Sequence, residues 1–516
     1  MTPLLRPLPF WLAAIVAAVS GFALEAAFPE RGWWPLAFAG VVLFLWSLAG
    51  RGPWTALSIG LIAGGAFWGS LIQWLTIYLG PVPWLALAGL QTIFFGFGAM
   101  ALAVVLNRGN TLWSSHWGRF GLAPIVIAAL FTAREAITSV WPYGGFSWGR
   151  LAHSQSEGPF ANLVAWLGTS GLSFIVALLA ALLFQLLRSH NVRKAWPIFA
   201  VATVIALVIP AFPVQISGST RVLAVQGNSN AGLFAQYTPG EILQDHVSAT
   251  LPYEGEKVDM VIWPENGSDL DPLRSSRSAK TLDYISNAFD APVVLGTITS
   301  PSPDTYFNSS LVWQAGKGAT AQYDKIHPVP FAEYMPNRDF FRALAPDLID
   351  LVPRDFSLGT RPNVVDVAGI RAGIAICFDI SDDQQAYDMI ADGAQIILAQ
   401  TNNADFGHTD ENVQQLAIAR LRAIETGRSV VNISTVGTSA IIAPDGSTID
   451  RLPTFSADAM LNNVPLSSTI TPAMAWGRTI ELGIVTVGLV GLALVLIKNP
   501  RRRSGILKHP ESSTEG

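Results

Sequence analysis

Residues 160–187 read FANLVAWLGTSGLSFIVALLAALLFQLL, a stretch without a single charged side chain. Roughly 20 helical residues cross the ~30 Å hydrocarbon layer of a bilayer, so this stretch predicts a transmembrane helix. Outward from it, apolar runs near 8–28, 33–50, 54–79, 83–106, 121–141, 196–214 and 475–497 raise the expected number of spans to eight. The run at 121–141 contains Arg134 and Glu135, a pair that a span tolerates by turning it toward the bundle or a polar cavity. Gly60 with Gly64, and Gly65 with Gly69, have the spacing that lets two helices approach closely. The first run follows Arg6 and ends in small residues, as a signal peptide would, but further spans follow at once with no soluble segment between.

The composition agrees with a membrane protein. Of 516 residues half are apolar, 13% are charged and 17 are Trp, with a mean hydropathy of +0.39. A net charge of −5 excludes a globally basic nucleic-acid binder and an acidic disordered chain. One Cys excludes an internal disulfide and the multi-thiolate metal and redox sites, and the seven His show no ligand spacing, so no metal is expected. The charges are divided: residues 215–470 carry 30 acids and 16 bases, the remainder 7 acids and 16 bases.

If both termini are cytoplasmic, the inner segments hold Arg6, Arg51, Arg108, Arg119, Arg188, Arg193, Lys194, Lys498, Arg501, Arg502, Arg503 and Lys508. The short outer segments then hold only Arg31, Arg150 and Arg478. By the positive-inside rule this orientation puts the acidic domain on the periplasmic or extracytoplasmic face of a plasma membrane. The expected organisation is a membrane domain of about seven helices at 1–214 and an extracytoplasmic domain at 215–470, then a transmembrane helix at 471–498 and a basic, polar cytoplasmic tail at 499–516.

Within 215–470 the pattern changes to short apolar runs between turns. Val222 to Gln226, Met260 to Trp263, Val293 to Ile298, Ser310 to Gln314, Ile374 to Ile376, Gln395 to Gln400 and Ser429 to Ile433 predict strands, with two more flanking the Pro444-Asp445-Gly446 turn. Glu411 to Thr426 repeats Val413, Leu416, Ala417, Leu421 and Ile424 at helical spacing, and Gly427 is placed to end that helix. The fold class is therefore an α-helical polytopic bundle of about eight spans joined to an α/β domain.

Three reactive side chains stand at or just beyond strand-like runs: Glu265, Lys325 and Cys377. A thiol of ordinary pKa ~8.5 needs a base to become a nucleophile at neutral pH, and Glu265 is suited to that. Attack on an acyl carbonyl develops an oxyanion, which the Lys325 ammonium and the Phe378 backbone N–H are suited to stabilise. Each residue also has a plainer reading, since a lone Cys in an apolar strand is often inert packing and charges at strand ends are common. Composition and spacing by themselves favour the plainer readings and leave catalysis the lesser one.

The ordered set Trp263-Pro264-Glu265, then Lys325 with Pro328, Pro330-Phe331, Glu333-Tyr334 and Pro336, then Cys377-Phe378-Asp379, resembles the Glu-Lys-Cys triad of the nitrilase superfamily. With eight expected spans around it, and with Gln226-Gly227-Asn228, Thr401-Asn402-Asn403, Phe406-Gly407 and Arg420-Leu421-Arg422-Ala423, the chain is similar to the membrane-embedded, lipoprotein-acylating branch of that superfamily.

The resemblance implies an αββα sandwich and a bacterial inner-membrane enzyme that moves a fatty acyl chain from a phospholipid, through a Cys377 thioester, to the α-amino group of an N-terminal diacylglyceryl-cysteine. It implies Glu265 as general base, Lys325 as oxyanion stabiliser and Glu333, Phe378 and Asp379 as supporting residues. Its partners would be a phospholipid donor, a lipoprotein acceptor and membrane lipids, with no nucleic acid, metal or other cofactor. Trp148, Tyr334, Asn402, Phe340 and Phe341 are candidates for substrate access. Phe340 to Val352 reads either as a membrane-dipping arm or as a loop packed on the domain. Gly145-Phe146-Ser147-Trp148-Gly149 matches the G-x-S-x-G pattern, but its loop context suits an interfacial segment better than a nucleophile elbow. A membrane-bound amidase that releases its acyl-enzyme to water, and a lipid-binding or transport protein with a non-catalytic outer domain, are the competing readings. Asp405 before Phe406, Phe378-Asp379 after the Cys, and Asn266-Gly267 after the Glu depart from the commoner family residues.

Overall fold

The computed structural model describes residues 6–189, 192–232, 235–352 and 354–497; the tail expected at 499–516 lies outside them. The N-terminal part is helical: α1 Phe10–Ala26, α2 Pro35–Leu48, α3 Pro53–Leu71, the short α4 Leu75–Leu79, α5 Pro81–Leu112, α6 Ala123–Thr138, α7 Val164–Arg188 and α8 Val192–Val208. Pro occupies the first turn of α2, α3 and α5, where its missing N–H costs nothing. Gly60 and Gly64 give α3 and α5 their contact, because a Cβ at Gly60 would stand 2.4 Å from the Ala99 Cβ and one at Gly64 2.7 Å from the Phe95 Cβ. Gly65 and Gly69 do not share that role; a Cβ there would stand 4.0 Å from the Thr92 side chain and 3.8 Å from the Trp84 ring, ordinary contact distances. Arg134 and Glu135 both point into the bundle, the guanidinium over the Phe95 and Phe131 rings.

The α/β domain follows as β1 Ile216–Gln226, α9 Glu241–Thr250, β2 Met260–Ile262, α10 Ser276–Phe289, β3 Val293–Ser302, β4 Thr305–Gln314, β5 Gly318–Asp324, α11 Arg338–Leu344 and α12 Pro346–Ile349. It continues as β6 Val364–Val367, β7 Ile370–Ile376, α13 Asp383–Ala391, β8 Ile396–Thr401, α14 Glu411–Thr426, β9 Ser429–Ser434, β10 Ala440–Ile442, β11 Thr448–Arg451 and β12 Asp458–Ser467, after which α15 Pro472–Ile497 returns to the bundle. Eight helices thus lie on the eight apolar runs. Five apolar helical stretches have spanning length, while Phe10–Ala26, Pro35–Leu48 and Trp196–Val208 are shorter. The shortfall has local causes. A hydrogen-bonded turn, Phe28 N–H to Glu25 O and Gly32 N–H to Phe28 O, takes up residues between α1 and α2, and Pro210 and Pro213 lie beyond the end of α8.

The strands form two six-stranded sheets, ordered β12-β1-β2-β3-β4-β5 and β11-β10-β9-β8-β7-β6. In each the three central strands are parallel and the flanking ones antiparallel. Alternate residues, such as Val222, Ala224, Ile262 and Val294 against Ile374, Ile376, Leu398 and Val431, meet in the layer between the sheets. The opposite face of the first sheet packs on α9 and α10 through Leu243, Val247, Leu282 and Ile285, and that of the second packs on α13 and α14 through Met389, Leu416, Ile418 and Leu421. The result is an αββα sandwich. Its second helical layer is continuous with the bundle core, so α14 has no solvent face: every residue of it except Val413 and Arg420 is buried.

Candidate functional site

Glu265 stands three residues past β2, Cys377 directly past β7 and Lys325 directly past β5. The carboxyl ends of parallel strands from two facing sheets are thereby brought to one point. Two local features make this possible. Gly296 on β3 lets the chain carrying Glu265 pass close by, since a Cβ there would fall 2.5 Å from Pro264 O and 2.6 Å from the Glu265 Cα. Cys377 takes a left-handed backbone, φ 53°, where the strand turns into the short helical turn Cys377–Ser381. For a non-glycine residue that conformation costs on the order of 1–3 kcal/mol and needs a surrounding structure that enforces it.

Asp379 enforces it: its Oδ2 accepts from Ile376 N–H (3.1 Å) and from the Tyr323 hydroxyl (3.0 Å). Tyr323 belongs to β5, two residues before Lys325, so the turn of the thiol and the strand of the ammonium are tied together. Across the sandwich, Gln400 Nε2 on β8 donates to Trp263 O at the end of β2 (2.6 Å), which ties in the Glu265 segment.

The charged groups are buried, Glu265 at 5% exposure, Lys325 at 2% and Asp379 at 1%. Lys325 Nζ pairs with Glu333 Oε2 at 2.8 Å, and Asn308 Nδ2 donates to both Glu265 (2.7 Å) and Glu333 (2.8 Å). Burial pushes the Glu265 carboxyl up to about 7, the Lys325 ammonium opposing that and Glu333 adding to it. Burial disfavours the Lys325 ammonium, but Glu333 and Glu265 outweigh it and its pKa is raised. Burial, then Glu265, drives the Cys377 thiol well above its ordinary value, and burial raises Asp379 to about 6. The arrangement therefore holds a neutral thiol beside a carboxyl poised between its two forms and a permanent cation, which suits a nucleophile whose proton leaves only as it attacks.

The other expected residues are spread around this centre. Phe378 lies nearly parallel to Phe146 and Trp148, at 4° and 9° with ring centroids 5.9 and 6.2 Å apart. Trp148 is buried, with Nε1 donating to Gln414 Oε1 (2.7 Å), so the loop of the G-x-S-x-G match folds against the thiol's turn. Its Ser147 donates to Ser381 O (2.9 Å). Asn402 bridges Ala231 O and the Thr435 hydroxyl, bracing loops beside the site. Phe331 N–H donates to Tyr334 O in the loop that presents Glu333. In the arm, Phe341 packs with Phe331, Met335, Ile349 and Val352, whereas Phe340 and Leu344 are 63% and 69% exposed. The arm thus has both a packed and an outward face.

Sequence reasoning missed Asn308, Gln414 and Gln415. Gln414 and Gln415 lie on the polar side of α14, and it is the burial of that side against the bundle that obliges their amides to find specific partners.

Residues 20–182 match the family profile described as apolipoprotein N-acyltransferase N-terminal domain, and residues 221–471 match carbon-nitrogen hydrolase. The apolipoprotein N-acyltransferase of Mycolicibacterium smegmatis is 33% identical over 97% of this chain and 88% of its own length. Those of Azotobacter vinelandii and Pseudomonas putida are 29% and 28% identical, covering 96% and 94% of this chain and 98% and 97% of theirs. Among solved structures, an amidase of the nitrilase superfamily from Nesterenkonia is similar at 16% identity with a TM-score of 0.39, over 53% of this chain and 98% of that one.

Proposed function

As a member of the apolipoprotein N-acyltransferase family, the chain is a bacterial membrane acyltransferase that N-acylates lipoproteins, and we propose that it does so in two steps through Cys377. In the first, Glu265 takes the thiol proton as sulfur attacks the ester carbonyl of a phospholipid, and the lysolipid leaves with that proton. In the second, the α-amino group of a diacylglyceryl-cysteine attacks the thioester, Glu265 takes the amine proton, and sulfur leaves and recovers that proton as the amide forms. Lys325 and the Phe378 N–H, in a first helical turn whose amides lack helical partners, stabilise the oxyanion of both intermediates. Glu333 and Asn308 hold Lys325 and Glu265 in place, and Asp379 holds the turn.

The observation that carries this reading is the convergence of Glu265, Lys325 and Cys377 from three strands onto one buried point backed by the membrane bundle. A site in that position serves lipid substrates, since it avoids drawing acyl chains into water at about 0.8 kcal/mol per CH₂. The exposed Phe340 and Leu344 suit an arm that touches lipid, and Trp148 suits the floor of the acyl site. The charge asymmetry supports an outer domain facing the periplasm with both termini cytoplasmic.

The test is to incubate purified protein and Cys377→Ala with acyl-labelled phospholipid in detergent and then add a diacylglyceryl lipopeptide. A hydroxylamine-labile label on the wild type alone, chased into the lipopeptide as an amide, is the expected result. Label lost to water without amide would indicate a hydrolase, and no label from several phospholipids would overturn the assignment of Cys377.

A further inference from the structure

Cys377 has a neighbour that this two-step chemistry leaves unused. Gln415, on the buried polar side of α14, lies with Nε2 at 3.7 Å from Cys377 Sγ. An amide can face either way, so whether nitrogen or oxygen meets the sulfur must be settled by the rest of its hydrogen bonds.

The hydrogen bonds behind Gln415 give its orientation. Gly437 N–H donates to Ser434 Oγ (3.1 Å), and the single Ser434 hydroxyl proton goes to Asn403 Oδ1 (2.6 Å). Asn403 Nδ2 is thereby turned the other way, donating to Gln415 Oε1 (3.1 Å) and Glu411 Oε2 (2.8 Å). With Oε1 engaged, Gln415 has only its N–H to present to Cys377. Asn403 is 1% exposed, and the Gly437 backbone lies so close that a Cβ there would be 2.3 Å from Asn403 Oδ1. The hydrogen bonds thus run in one sense, from Ser434 through Asn403 and Gln415 to the sulfur, with the Asn403 amide packed against the Gly437 backbone.

We propose that Gln415 is a catalytic hydrogen-bond donor to the Cys377 sulfur, with Asn403 and Ser434 as positioning residues that fix its polarity. Negative charge reaches that sulfur twice. It does so when the thiol proton passes to Glu265 and the S–C bond forms, and again when the amine N–C bond forms, the C–S bond breaks and the electron pair returns to sulfur. A donor placed there favours the charged form in both steps. Cys377 is only partly exposed, so such a donor meets limited competition from water.

The proposal rests on Cys377 as the nucleophile, so the test separates the two. Full-length protein in detergent is alkylated with iodoacetamide from about pH 6 to about pH 10, and the rate at each pH, which follows the thiolate fraction, is compared between wild type and variant. Cys377 is the only Cys, so every cysteine adduct reports on it. Gln415→Leu is expected to shift the rate–pH curve up by about one pH unit, a rate about tenfold lower at a given pH. Asn403→Leu, which cannot donate to Gln415, adds no charge and does not touch sulfur, is expected to move it the same way. If Gln415→Leu does not fold, Ser434→Ala carries the same expectation at smaller amplitude. Folded variants with lower melting temperatures and unchanged rates would reduce Gln415 to packing and overturn the proposal. A wild type that takes no acyl label from phospholipid would overturn the nucleophile assignment, and this proposal with it.

Discussion

Glu265 and Lys325 lie in the same buried pocket and respond to it in opposite ways, and each gives an expectation. Burial holds Glu265 near pKa 7, and a base must be ionised to accept a proton. Single-turnover formation of the labelled acyl-enzyme should therefore rise with pH through about 7 and fall below it, and Glu265→Gln should lower it about a hundredfold or more. A profile flat across neutrality would argue against Glu265 as the base. Glu333 is the cation's partner at 2.8 Å, so Glu333→Gln leaves a buried ammonium short of one counter-charge. Breaking such a pair costs about 3 kcal/mol, the low end of the usual range because Glu333 is partly exposed. The folded pKa of Lys325 lies above its ordinary value, so the pair's contribution is complete at neutral pH and is lost only as pH rises through the folded value. Thermal melts of Glu333→Gln should thus show a similar deficit at any pH from about 6 to about 9. The three reactive residues could be named from the sequence because each ends a strand-like run, but Asn308, which bridges the two carboxylates, could not, since an Asn before Ser309 on a strand carries no mark of its partners.

At the scale of elements, most of the legible strands carry apolar runs, while β10 and β11 were legible from the turn between them. β6 ends its sheet and β12 contains Asn462, Asn463 and Pro465, so neither shows the apolar signature of a strand buried on both faces. The helix α14 was placed correctly by its apolar period and by Gly427, which ends it at φ 66°. What the period could not convey is that its polar side is buried too. Gln414 meets both Trp74 and Trp148 and donates to Leu71 O, so the helix is the joint between sandwich and bundle. Close approach also governs β3. Gly296→Ala would force the Pro264-Glu265 backbone aside, so it should lower acyl-enzyme formation at least tenfold, by the sensitivity of rate to sub-ångström placement, with no titrating group changed. An unaffected rate would show that the segment has room to shift.

For the whole molecule, the contact between bundle and sandwich is ionic as well as apolar. Arg150, in the loop before α7, pairs with Asp383 at the start of α13 (2.6 Å), which Arg422 of α14 also holds (2.9 Å). Arg422 in turn pairs with Glu425 and donates to Ile380 O in the thiol's turn, while Thr169 N–H of α7 donates to Glu425 (2.9 Å). Burial favours the neutral Asp383 carboxyl, but the two guanidiniums outweigh it and hold its pKa below the ordinary range. Its contribution is therefore present above about pH 4 and disappears as pH falls from there toward the folded value. Asp383→Asn should lower the melting temperature at pH 7 by an amount worth about 3 kcal/mol, and the gap from wild type should narrow in acid. A gap independent of pH would place the effect in packing instead. The sequence by itself determined that this is a membrane chain with an acidic α/β domain and three reactive residues in order, because hydropathy, charge and strand period are carried by neighbours along the chain. Only the tertiary structure decided that two sheets face each other with those residues at one point, that a bundle replaces solvent behind α14, and that the amides of Asn308, Asn403 and Gln415 are aimed as they are. A hydrogen bond between residues far apart in sequence depends on distance and direction in space, and no local pattern encodes either.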